Sequence, residues 1–157
     1  MSHDLLNSEA SFGHFFIART DEDEEGSYFL WHVYLWDANE YMWDFLGLPT
    51  ERRTSDGYHK PQPYRIDPVT GQHNPAPHLG DIHFVRGKWD LEVVTHECLH
   101  AIAHYTASRG LVPLGSLDSD MTKDEEPKCY LMGRLVDQIY RELWVADPAT
   151  HPSYPNS

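Results

Sequence analysis

The chain is poor in cysteine and in positive charge, and it has no long apolar run. Two cysteines in 157 residues, Cys98 and Cys129, cannot build the disulfide framework that holds small secreted domains together. Both fall in segments that read as helices, so a reducing cytoplasm is the expected setting. Lys and Arg number 12 against 25 Asp and Glu, a formal net charge of −13. Such a surface repels phosphate backbones and anionic headgroups, so neither nucleic acid nor membrane is an expected partner, although an acidic mimic of nucleic acid stays compatible with it. No Lys or Arg precedes Arg19, which leaves the start without the charged region of a signal peptide. No stretch reaches the roughly 18 apolar residues that suggest a membrane span.

What is present is enough apolar material for one core. Hydrophobic residues make up 40% and aromatic ones 13%, and a chain of this length buries roughly 70% of the surface that its unfolded form exposes. A single domain over 1–157 is expected, with strands, a short helix and a long Pro-rich loop in 1–79, a strand and two long helices in 80–145, and a tail in 146–157. Residues 11–20 read as a first strand. Residues 27–36, SYFLWHVYLW, are apolar on both alternating faces and predict a central strand covered on both sides. Asp37 is a candidate cap for a short helix ended by Gly47 and Pro49. The density of Pro and Gly in 50–79 predicts an irregular excursion. Residues 80–86, GDIHFVR, alternate Ile82 and Phe84 against Asp81, His83 and Val85, the pattern of a strand with one buried face, read here as an edge strand.

Asp90 can cap a helix running to about Ser108, and a second long helix opens near Asp124 with Pro127 in its first turn. The first of these helices carries His96-Glu97-Cys98-Leu99-His100, an H-E-x-x-H pattern. Two histidines four residues apart project from one helical face and can share a zinc ion, while the intervening glutamate can reach a metal-bound water. A catalytic zinc needs a third protein ligand, for which the candidates are His104, Glu125 and Glu126. His104 lies about 12 Å along the axis from His96, too far for one ion to bridge all three helical histidines. Glu126 shares a stripe with Cys129, Tyr130 and Gly133, small enough in part to let two helices approach closely, and is preferred to Glu125. Cys98 is turned away from the metal-facing side and is expected to be buried and inert. The spacing of His73, His78 and His83 is not a recognised ligand pattern, and the aromatic residues of 28–43 are expected in the core.

The run GDIHFVRGKWDLEVVTHECLHAIAHY, followed after a loop by DEEPKCYLMGRLVDQI, resembles the gluzincin branch of the zincin metallopeptidases, and in particular small H-E-x-x-H proteins of actinobacterial phages. The resemblance covers residues 80 to 143. It implies an α+β zincin-like fold, a small twisted and mostly antiparallel sheet with the H-E-x-x-H helix and a second long C-terminal helix. It implies Zn2+ held by His96, His100 and Glu126, with Glu97 as general base in peptide-bond hydrolysis. It also implies an edge strand, at residues 81–86, that pairs with an extended peptide or protein substrate in the host cytoplasm. A metzincin would need a glycine at position 103 and a histidine at 106, where this chain has Ala103 and Thr106. Tyr105, Tyr130, His83 and Arg109 are candidates to steady an oxyanion. The alternative reading is a catalytically silent zincin-like binding or structural protein, an inhibitor or virion-associated factor, which would have no need of Glu97.

Overall fold

The computed structural model describes residues 13–62, 68–71, 77–108, 111 and 120–148. His73 and Arg109, the first twelve residues and the end of the tail lie outside the described residues. The described residues form an α+β arrangement of four strands and three α-helices: β1 Gly13–Arg19, β2 Leu30–Trp36, α1 Asn39–Leu46, β3 Gly57–Pro61, β4 His78–Val85, α2 Leu91–Ser108 and α3 Glu126–Ala146. None of these helices is long and apolar enough to cross a membrane.

The strands form one mixed sheet in the order β1-β2-β4-β3. The outer pairs are antiparallel and the central pair, β2 with β4, is parallel. Strand β2 is central and covered on both faces, as its two-sided apolar pattern predicts. Trp31, Val33 and Leu35 enter the core shared with α2 and α3, whereas Tyr34 and Trp36 enter a second core under α1 with Met42 and Val85.

Strand β4 departs from expectation. It is interior, not an edge, because the Pro-rich stretch folds back as β3 and pairs with it from Gly57↔Phe84 to Pro61↔Gly80. Its second face is buried as well, since His83 is fully buried and Val85 is 1% exposed. Five residues of β3 between breakers carry too little periodicity to announce a strand, and Pro61 is tolerated only because β3 is terminal.

Helix α1 begins after Ala38, with no side-chain cap. Asp37 is committed elsewhere, to the Arg86 guanidinium at 3.0 Å. Asp90 does cap α2, its carboxylate accepting from the Val93 N–H at 2.8 Å. Helix α3 opens through a π-helical turn, Met121–Glu125, capped by Asp120. Its far end is fastened by the buried Asp147, which accepts from the Trp89 indole N–H and the Gly87 N–H, both at 2.9 Å.

Candidate metal groove between the edge strand and helix α2

Helix α2 buries Val94, Cys98, Ala101 and Ile102 completely. That apolar stripe fixes the rotation of the helix and leaves His96 and His100 exposed together on its outer side. Their rings meet edge to face, 4.9 Å between centroids. Glu97 lies one position round toward β3 and is 6% exposed. Gly57 of β3 makes that burial possible, because a Cβ there would stand 3.1 Å from the Glu97 Oε2 and 3.1 Å from the Val93 side chain. Burial pushes the Glu97 carboxyl above the usual carboxylate range, with the neighbouring His96 opposing the shift.

Two residues along β3, His59 faces the same helix. Its ring lies 6.4 Å from that of His100, with planes 2° apart, and 5.8 Å from that of His104. Burial, then the nearby His104 and His100, lowers the His59 pKa to about 4. The His59 Nε2 and the His104 Nδ1 are both buried without a hydrogen-bond partner. Such orphaned imidazole nitrogens are costly in a dry groove and are the feature that an ion or water relieves. His104 is also lowered by burial, opposed by a hydrogen bond to the Gln62 backbone. Sequence reading misses His59, which sits inside the stretch whose Pro and Gly content predicts an irregular excursion.

The acidic candidates fall elsewhere. Helix α2 packs on β3 and β4, whereas α3 packs over β1, where Gln138 exchanges hydrogen bonds with the Arg19 backbone at 3.2 and 2.8 Å. Helix α3 therefore lies on the flank of α2 away from β3. The two helices are antiparallel: Pro127 and Leu131 border Tyr105 late in α2, and Tyr140 and Trp144 meet Trp89 just before it starts. Glu126 is thus level with the end of α2 and is exposed. The donor atoms of His96, His100 and Glu126 do not all lie within 4.8 Å of one another, nor do those of the sets with Glu125, His104 or His59 in its place.

The stripe expected to bring the helices together points outward. Cys129 is exposed, Tyr130 is 68% exposed, and nothing lies within 4 Å of a Cβ placed on Gly133. The buried stripe is Lys128, Leu135, Ile139 and Leu143, and its three aliphatic side chains release more free energy on burial than the small-residue stripe could.

The remaining candidates are spread over other surfaces. His83 is fully buried on the opposite face of the sheet, where its Nδ1 accepts from the Trp36 indole N–H at 2.9 Å and burial lowers its pKa to about 3. Tyr105 packs against Phe29 and Trp31, 5.9 and 6.5 Å between centroids. Cys98 is buried beneath the motif and its thiol is pushed up to about 12 by that burial, in keeping with an inert packing role. A cleft of about 600 Å³ opens on the α3 side, lined by Arg19, Phe29, Tyr105 and Leu131, and does not include the motif histidines. No family model matches the chain, and no curated protein or solved structure does so.

Proposed function

We propose that this chain is a zincin-like, zinc-dependent metallopeptidase in which His96 and His100 hold the ion and Glu97 is the general base. The observation that carries the reading is the buried carboxyl of Glu97 beside two exposed imidazoles on the same helix. A packing role has no use for a desolvated glutamate at that position, since burying a carboxyl there opposes stability. Imidazole donors suit zinc, and the orphaned nitrogen of His59 fits a third ligand reaching in from the edge strand. We assign that role to His59 in place of Glu126, which stands on the wrong flank of α2.

Zinc, when bound, supplies Lewis-acid polarisation of the scissile carbonyl and a lowered pKa for a ligated water. Glu97 accepts a proton as water attacks and returns it to the leaving amine, a role matched to a carboxyl held above its ordinary pKa. Strand β3 is terminal in the sheet and borders the groove. Its backbone can take an extended peptide as an added strand, the role that the family resemblance would give to residues 81–86.

The test is hydrolysis of an unfolded protein substrate together with metal content after dialysis. Glu97→Gln should lose activity by about 10²–10⁴-fold with its metal retained. Equal hydrolysis by that variant overturns the mechanism. His59→Ala should lose the groove metal and Glu126→Ala should keep it. The displacement of Glu126 from the histidine pair favours a second reading, a metal-bearing binding domain; metal in the groove with no hydrolysis by wild type or Glu97→Gln selects it.

A further inference from the structure

We propose that His32, His78 and Asp81 form a second divalent-metal site, zinc by its donor set, on the sheet face opposite α2. Among the described residues they are the group of three whose donor atoms all lie within 4.8 Å of one another. The Asp81 Oδ1 stands 3.1 Å from the His78 Nε2 and 3.8 Å from the His32 Nδ1. Two ligands of one tetrahedral zinc ion, with bonds of about 2.0–2.1 Å, are separated by about 3.3 Å, a value those two distances bracket. The 3.8 Å separation is too long for a hydrogen bond, so hydrogen bonding between those two atoms does not account for the approach.

The backbone is shaped to bring these residues together. Residues 78 and 81 of a regular strand point to opposite faces, being an odd number of positions apart. Here the register shifts: Leu30 pairs with His78 and Trp31 with Gly80, so β4 carries one extra residue. That bulge sends Leu79 into the core under α2 and leaves His78 and Asp81 together on the other face, beside His32, the register partner of Asp81. Bulges that re-aim a side chain are frequent beside functional sites. Glycine is required at the bulge. Gly80 has φ +149, and a Cβ on it would meet the Lys60 carbonyl oxygen at 2.5 Å.

The surroundings supply what a metal-bound imidazole needs. The Gln62 side-chain amide lies 2.7 Å from the His78 Nδ1. With the amide turned so that its oxygen accepts an Nδ1–H, the outer support typical of histidine ligands, the His78 Nε2, which lies 2.9 Å from the Gly80 carbonyl oxygen and 3.1 Å from the Asp81 Oδ1, would exchange those contacts for the ion. The rings of His32 and His78 are stacked at 3.9 Å, and binding turns one of them about Cβ–Cγ so that both lone pairs converge. All three residues are half-buried, which leaves a side open to a water or an exchangeable ligand. His78 is the first residue of β4 after the long crossover from β2, so the ion would clip the returning chain to the middle of the sheet. The site needs neither His96 nor His100 and stands apart from the reading of the groove.

The test uses the full chain, stripped by chelator and titrated with Co2+ for its visible absorption and with Zn2+ for stoichiometry by elemental mass spectrometry. The double variant His96→Ala/His100→Ala removes the groove site and should still bind one ion per chain. In that background Asp81→Asn and, separately, His32→Gln should weaken binding at least tenfold, and Gln62→Ala should weaken it by about 10–100-fold. A chelator-stripped circular dichroism spectrum unchanged from wild type identifies the variants that fold. Loss of all metal in the double variant, or full affinity in any folded Asp81 or His32 variant, overturns the proposal. Wild type that binds a single ion kept by the double variant supports this site and removes the groove assignment.

Discussion

The groove beside α2 and the far face of the sheet both gather histidines, by different means. In the groove the gathering of His96 and His100 is local, and His59 joins them from β3. One turn of helix sets His96 over His100, and an apolar stripe on the opposite side decides where they point. On the far face it is entirely nonlocal. His32 and His78 come from two strands separated by a long crossover, and they meet only because β2 and β4 pair in parallel with a bulge at Gly80. The groove tolerates a shift of neighbouring strands without losing its histidine pair. The far-face cluster has no existence apart from strand register. Gln62 touches both regions, its side chain at His78 and its backbone at His104.

The largest test of that difference is Gly80→Ala. The new Cβ would enter the Lys60 carbonyl at 2.5 Å from a backbone with φ +149, and the strain should cost about 2–3 kcal/mol of unfolding free energy. If the bulge alone brings His78 and Asp81 to one face, this variant should also lose the far-face metal while keeping the helical histidine pair. Chemical denaturation and cobalt titration of the same sample read both effects. Far-face binding at full strength would show that the cluster does not depend on the bulge.

The same contrast explains what can be read from the sequence. Helix α2, its Asp90 cap and the two-sided burial of β2 follow from periodicities contained within a few turns or residues, and each is visible in the linear chain. Strand β3 is not, because its five residues, Gly57–Pro61, fall below the length at which alternation distinguishes strand from loop. With β3 goes His59, and with it the interior position of β4. The stripe Glu126, Cys129, Tyr130 and Gly133 is consistent on spacing alone, but spacing names a face without saying which face is buried. The run of Leu135, Ile139 and Leu143 on the other side decides that by apolar area. The His32, His78 and Asp81 cluster carries no linear signal at all.

A smaller effect is expected at Gly57, the groove's counterpart of Gly80. Here a Cβ meets side chains at 3.1 Å, the Glu97 carboxylate and Val93, with backbone conformation not at issue. Side chains give way more readily than a carbonyl, so Gly57→Ala should cost about 1 kcal/mol. It should lower peptidase activity by displacing Glu97 and leave metal affinity at His96 and His100 close to wild type. A fall in metal binding equal to the fall in activity would mean that Gly57 shapes the whole groove and not the carboxylate alone.

The smallest effect has the opposite sign and separates two accounts of α3. A Cβ added at Gly133 would have nothing within 4 Å of it, and the residue lies on the exposed stripe with Cys129 and Tyr130. Glycine in an exposed helix interior forfeits about 0.8–1.0 kcal/mol relative to alanine, so Gly133→Ala should stabilise the protein by about that amount. Had the stripe been the close-packed contact that carries Glu126 to the histidine pair, the same methyl group would wedge the helices apart and destabilise the fold. The thermal midpoint of Gly133→Ala therefore reports on the third ligand without any metal present. A rise keeps Glu126 on the outer flank and leaves the groove to His59; a fall would turn the Glu126 stripe of α3 toward α2 and return Glu126 to contention.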